Sequence, residues 1–164
     1  MTDTQSDHMI TPEHFAKIQK LIPHQFTLDA CANVTGDNRL CECYCFHRGS
    51  FLKRDLQNEF IWLNPPFQAA QIFLEHYFEQ RDAHPTIVGG CILLPTRSNL
   101  IEQPRIKKLR KLVHFPKGTR LFTQPCSKGS TRRQPMPGIP WPVNVHYQTP
   151  LRAEHYHSHE NITD

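Results

Sequence analysis

Apolar residues recur along this chain with two different periods, and the switches between them mark out the elements. Phe15, Ile18, Leu21 and Ile22 follow i, i+3, i+4 spacing, which puts one apolar stripe on a helix. Thr11 before Pro12 and Glu13 opens that helix as an N-cap, with proline at the first helical position and an acid in the first turn. Pro23 ends it. Residues 26–30 then read as a short strand with Phe26 and Leu28 on one face, and 33–38, holding Gly36, as a turn. Cys41, Cys43 and Cys45 alternate at i, i+2, i+4, which places three sulfurs on one face of a buried extended segment that Gly49-Ser50 interrupts.

The continuous apolar run 60–63 reads as a strand covered on both faces, stopped by Asn64-Pro65-Pro66 because proline cannot donate to a sheet ladder. A helix over about 68–80 follows, with Ile72, Phe73, Tyr77 and Phe78 facing inward. The run 86–94 is the best central strand and halts at Pro95. Residues 105–111 suggest a basic amphipathic helix or turn, 112–115 and 119–122 short strands, 123–141 a long Pro- and Gly-rich loop, and 143–147 a closing strand. Strands alternating with helices argue for an α/β fold with a mainly parallel sheet, whose ligands sit beyond the carboxyl ends of the strands. Asp29 and Asn64 both fall at such ends.

A length of 164 residues fits one compact domain, and 14 prolines with 38% apolar residues fit a small core under stiff loops. The expected organisation is an unstructured stretch 1–10, a domain over 11–150, and a polar tail 151–164 whose His155, His157 and His159 read as a solvated segment. No run approaches the ~18 apolar residues of a membrane span, and the acidic, polar start resembles neither a signal nor a transit peptide. A soluble intracellular protein is the expectation, in bacterial or phage-infected cytoplasm or in a nucleus, with no membrane partner and an open oligomeric state.

Net charge is +4, but the basic residues concentrate. Between Arg105 and Arg133 lie Lys107, Lys108, Arg110, Lys111, Lys117, Arg120, Lys128 and Arg132 without one acid, a pattern suited either to phosphate or to a solvated face. Arg97, Lys107, Lys108, Arg132 and Arg133 are the candidate nucleic-acid contacts. The 41–47 cysteine cluster is spaced more tightly than the usual structural zinc ligands and no second pair follows, so buried free thiols and no metal are expected, zinc being the weaker alternative.

Asn64-Pro65-Pro66-Phe67 carries the chemistry. The two prolines fix the backbone and remove two N–H groups, leaving the Asn64 side-chain oxygen and the Pro65 carbonyl as a pair of fixed acceptors. Such a pair suits the two N–H bonds of a planar amino group, while Phe67 offers a face for a flat base. Hydrogen bonding both N–H groups frees the amine lone pair for direct attack on an in-line methyl donor, with no covalent enzyme intermediate. A target inside a duplex has to be flipped out first.

With Thr11-Pro12, Phe26-Thr27-Leu28-Asp29-Ala30-Cys31-Ala32, Cys41, Phe51-Leu52, Asp55-Leu56, Trp62-Leu63-Asn64-Pro65-Pro66-Phe67, Leu93-Leu94-Pro95-Thr96-Arg97 and Pro142-Val143-Asn144-Val145, the chain resembles the phage-type (Dam-like) DNA N6-adenine methyltransferases, including retroelement-borne relatives, over about 11–147. The resemblance implies a class I, Rossmann-like S-adenosylmethionine-dependent fold, S-adenosylmethionine as cofactor and adenine in DNA, single- or double-stranded, as acceptor. It assigns Asn64, Pro65, Pro66 and Phe67 to catalysis, and Thr11, Pro12, Asp29, Cys31, Ala32 and Asp55 to the cofactor. Asn replaces the family's common Asp at position 64, Phe its Tyr at 67, and the cofactor turn has no glycine; Asp37 and Glu42 are candidates for the ribose. The cofactor turn without glycine and the basic 105–133 segment keep open a catalytically degenerate nucleic-acid-binding module, and Asn-Pro-Pro-aromatic, shared by several such enzymes, a methyltransferase for cytosine N4, RNA adenine or protein glutamine.

Overall fold

A computed structural model describes residues 8–151, apart from residues 34 and 47. The His-rich tail and residues 1–7 lie outside the described residues. In chain order the elements are β1 (Met9–Ile10), α1 (Pro12–Lys20), β2 (Leu28–Asp29), β3 (Cys43–Tyr44), α2 (Arg48–Leu52), β4 (Phe60–Leu63), α3 (Ala70–Ala83), β5 (Gly89–Pro95), α4 (Pro104–Lys107), β6 (Arg110–Phe115), β7 (Phe122–Pro125), β8 (Arg133–Pro135) and β9 (Val143–Gln148). Met9 and Ile10, expected in an unstructured stretch, instead pair with Thr123 and Phe122, and Ile10 is buried.

The protein is α/β with a mixed sheet of six strands in the order β3-β2-β4-β5-β9-β6. Its first four strands run parallel; β9 runs against both β5 and β6. The expected mainly parallel sheet therefore holds for four of the six strands, and β9 makes the whole a mixed sheet. The segment before β9 lies at the carboxyl end of the parallel strands, so β9 starts there and has to run back down.

Alternation sorts the central strands into two cores. Ile61, Leu63, Ile92 and Leu94 face α2 and α3, joining Phe51, Phe73, Leu74 and Tyr77. Phe60, Trp62, Cys91 and Leu93 face the other way, joining Ile18 and Ile22 of α1 with Ile10, Leu121 and Val145. Trp62 and Phe73 are core residues, as their sequence context suggests, and Trp62 meets Phe15 and Phe26 edge to face at 5.4 and 5.6 Å. A Cβ at Gly90 would fall on the Ile61 carbonyl oxygen, so glycine there lets β5 close on β4.

Four expectations change. Ile72 is exposed, because α3 begins only at Ala70 after a short 3-10 turn and turns Phe73, Leu74, Tyr77 and Phe78 to the core instead. Residues 110–111 extend β6 rather than a helix. The 119–122 strand is shifted to β7, and the long loop holds β8, paired with β7 as a hairpin and added to β1. Cys41 is half-buried, Cys43 exposed and Cys45 buried, since β3 is too short and too near the sheet edge to bury one whole face.

His146, on β9 opposite Lys111, is buried with Nε2 lacking a hydrogen-bond partner among the described residues. Burial, and secondarily Lys111, hold its pKa down at about 4, below the ordinary 6.5. A depressed folded value means the native state stays neutral while the unfolded chain takes up a proton. Stability is then full above about pH 6.5 and lost as pH falls toward 4. We expect wild type to lose up to ~3 kcal/mol relative to His146→Gln across that window in urea titrations. Parallel stability profiles for the two proteins would remove His146 from this account.

Candidate active site

The parallel register decides what meets what. Leu28 and Asp29 of β2 lie opposite Ile61 and Trp62 of β4, and the Ala30 N–H donates to the Trp62 carbonyl at 3.0 Å. The chain therefore leaves β2 and β4 side by side at the same end of the sheet. A cavity of about 250 Å³ opens there, lined among others by Ala30, Cys31, Ala32, Asn64, Pro65, Pro66 and Phe67. The two segments expected to share a crevice do share one.

The turn after β4 keeps its acceptors available. The Pro66 carbonyl is consumed, accepting from the Ala69 N–H at 3.0 Å as α3 is approached. Among the described residues, neither the Asn64 side chain nor the Pro65 carbonyl is engaged in a hydrogen bond. Pro66 is extended at φ −62° and ψ 141°, and Phe67 just beyond it is 51% exposed, so an aromatic ring stands at the cavity mouth.

Asp29 works from behind. Its carboxylate accepts from the N–H of Cys31 and of Leu40, both at 3.1 Å, tying the bend after β2 to the chain approaching β3. Burial pushes the Asp29 carboxyl up to about 6, and the two N–H donors pull the other way. Cys45 donates to the Asp29 carbonyl and Ala32 to the Cys45 carbonyl, each at 2.8 Å, which completes the bend. Asp29, which the resemblance assigns to the cofactor, does not line the cavity; it stands behind it as a brace under Ala30, Cys31 and Ala32.

Three other expected cofactor residues stand elsewhere. Thr11 caps α1, its hydroxyl accepting from the His14 N–H at 3.1 Å, and Pro12 occupies the first helical turn; neither lines the cavity. Asp55 lies in a separate polar groove between α2 and α3, with its carboxylate taken up by the Gln57 N–H and side chain, both at 3.0 Å. Burial, followed by the Asp29 charge, pushes the Cys41 thiol up to about 12, and burial also raises Cys45 and Cys91. These sulfurs stay protonated at neutral pH, unlike an activated thiolate nucleophile.

The basic run divides. β6 starts at the end of the sheet remote from the cavity, since Arg110 is in register with Tyr147 and Phe115 with Val143. Lys107 and Lys108, just before it, are placed at that remote end, and Lys107 pairs with Glu102 at 3.0 Å. Arg105 forks onto Asp82 and lies over Phe78, so acids distant in sequence neutralise part of the run. Arg133 is internal to the hairpin, donating to the hydroxyl and carbonyl of Thr123 at 2.8 and 2.9 Å. Arg132 is exposed near the hairpin tip, and Arg97 is exposed just past β5, whose last residue Pro95 lines the cavity.

His8, Phe46, Met136, Ile139 and Trp141 also line the cavity, and none was singled out from sequence. Trp141 had a signal: an indole bracketed by Pro140 and Pro142 just before a strand, held on stiff backbone. Phe46 and His8 had none, because the folds of 33–40 bring them in. There Asn38 accepts from the Asn33 N–H at 2.7 Å and donates to the His8 carbonyl at 3.2 Å.

A family model described as DNA N-6-adenine-methyltransferase (Dam) matches residues 1–99, which contain α1, the Asp29 bend and the Asn64 turn. No curated protein and no solved structure matches the chain.

The brace at Asp29 has a measurable weight. Asp29→Ala strands two backbone N–H groups, at about 1–3 kcal/mol for each left without a partner, and Asn recovers one acceptor only. Urea midpoints are expected in the order wild type, Asp29→Asn, Asp29→Ala. Coincident midpoints for all three would mean that the bend holds itself.

Proposed function

The chain belongs to the DNA N-6-adenine-methyltransferase (Dam) family, and from that footing we propose that it methylates the N6 amino group of adenine in DNA on a class I, Rossmann-like methyltransferase fold. Membership implies a methyltransferase fold and use of S-adenosylmethionine. The observation that carries the finer reading is the single cavity joining the Ala30–Cys31–Ala32 bend to Asn64-Pro65-Pro66-Phe67.

The lining fits the cofactor. Small side chains at Ala30 and Ala32 leave the bend's backbone accessible, Phe46 offers a face to a purine, and Leu93 and Pro95 close an apolar floor. Ala30, Cys31, Ala32 and Phe46 would hold it, with His8 and the bend's carbonyls as polar partners, the N–H groups of residues 30–32 being spent within the protein. When bound, S-adenosylmethionine supplies a methyl group on a sulfonium. Asn64 Oδ1 and the Pro65 carbonyl accept the two N–H bonds of the acceptor amine, which favours a pyramidal nitrogen with its lone pair available. Phe67 stacks on the base and holds it. The apolar walls exclude water, which strengthens both hydrogen bonds. Cys31, although it lines the cavity, needs no role as a nucleophile.

DNA is gripped at the cavity end. Arg97, Lys117 and Arg120 lie on exposed turns there, and the β7–β8 hairpin, rooted at the lining residues Phe122 and Met136, carries Lys128 and Arg132 toward its tip. Lys107, Lys108 and Arg133 are left out of this grip. Among the described residues no helix is long and apolar enough to cross a membrane.

One observation favours a second reading: among the described residues no Asp or Glu lines the cavity to bind a ribose or an ammonium. A degenerate fold would bind DNA yet give no heat with S-adenosylmethionine. The test is transfer of labelled methyl from S-adenosylmethionine to DNA, with the product identified by nucleoside mass spectrometry. We expect N6-methyladenine, a loss of ~100-fold or more in Asn64→Ala, and retention in Asn64→Asp, which keeps the acceptor. Label in cytosine, RNA or glutamine would shift the acceptor; undiminished transfer by Asn64→Ala would overturn the mechanism.

A further inference from the structure

We infer that Trp141, with Arg97 laid over its ring, forms a second wall of the acceptor-base site, a substrate-side pair facing the Asn64–Phe67 turn. The inference rests on the nucleic-acid acceptor proposed above and concerns a residue, Trp141, beyond the 1–99 family match.

Trp141 lines the same cavity as Asn64 and Phe67. Its ring centroid lies 5.9 Å from that of Phe67, the planes crossing at 73°. The Arg97 guanidinium carbon sits 4.6 Å from the Trp141 centroid, and Arg97 is exposed and makes no ion pair among the described residues. This is a built arrangement. Thr96 donates to the Pro142 carbonyl through its N–H at 2.9 Å and its hydroxyl at 3.2 Å, fixing the neighbours of both residues together. On the other side of Trp141, Ile139 and Gly118–Thr119 exchange backbone hydrogen bonds at 2.8 and 2.9 Å. A Cβ at Gly138 would strike the Gly118 carbonyl, so the approach is close.

A protein that needed only a lid would close it with an aliphatic residue. An indole loaded with a guanidinium instead presents a flat, polarised face to a base, and the guanidinium keeps N–H donors free for an adjoining phosphate. Phe67 and Trp141 at 5.9 Å and near perpendicular leave no slot for a base, which needs ~7 Å between parallel faces at ordinary carbon contact distances. Seating a base between Phe67 and Trp141 therefore requires Trp141 to turn toward a parallel arrangement, and Arg97 moves with it toward the strand that carries the base.

That rotation is visible in fluorescence, because the only other tryptophan, Trp62, is 1% exposed in the core. The probe is a duplex with one adenine opposite an abasic position, compared with the same duplex lacking that adenine. We expect quenching with the first duplex only. Trp141→Phe, which keeps a ring, should show no quenching, since Trp62 alone then emits. Trp141→Ala should raise the KM for DNA about 10-fold, and Arg97→Gln should flatten the salt dependence of binding by about one charge. Quenching that persists when methyl transfer is absent from every form of the protein supports this wall and rejects the methyltransferase reading. Methyl transfer with an unchanged KM in Trp141→Ala and no quenching in wild type overturns the wall and leaves the methyltransferase reading standing.

Discussion

The structure depends on one pairing: two short strands, β2 and β4, lying parallel and in register. Leu28 opposite Ile61 and Asp29 opposite Trp62 bring chain segments about 35 residues apart to the same edge. A slip of one residue would turn Trp62 out of its aromatic cluster and Asp29 toward the wrong face, since side chains alternate along a strand. The pairing is short, so its neighbours hold it. β5 closes on β4 at Gly90, and Asp29 ties the bend on its far side.

From that edge follows a division of labour. The groups that fix the cavity's shape are spent on backbone: Asp29 on Cys31 and Leu40, Asn38 on Asn33 and His8, Thr96 on Pro142. The cavity itself is faced by the uncommitted acceptors at 64–65 and lined by Phe46, Phe67 and Trp141. An apolar cavity with few polar groups strengthens each remaining hydrogen bond, and it suits a reaction that asks for positioning rather than for a nucleophile. Charge is kept outside, on Arg97, Lys117, Arg120 and the hairpin tip, where phosphate would lie.

Much of this was legible in the residues. The strand at 60–63, the stop at Asn64-Pro65-Pro66 and the adjacency of Asp29 and Asn64 follow from continuous apolar runs ended by prolines and from the rule for parallel sheets. What escaped reading was long-range. The β7–β8 hairpin has no alternating apolar pattern because its strands are half-covered or exposed, and it is held by Arg133 on Thr123 rather than by burial. Asp29 and Arg133 looked like ligands because a charged residue at a strand end or in a basic run carries no sign of which backbone groups will claim it. The direction of β9 likewise depends on where its preceding loop ends up. Trp141 was visible, but only the fold puts it opposite Phe67.

The most direct measurement is a crystal structure with S-adenosylhomocysteine. The account predicts ligand density in the cavity between the Ala30–Ala32 bend and Asn64, with its sulfur on the Asn64 side and Asp29 still bound to Cys31 and Leu40. Ligand bound elsewhere, or a cavity that stays empty at saturating concentration, would contradict it.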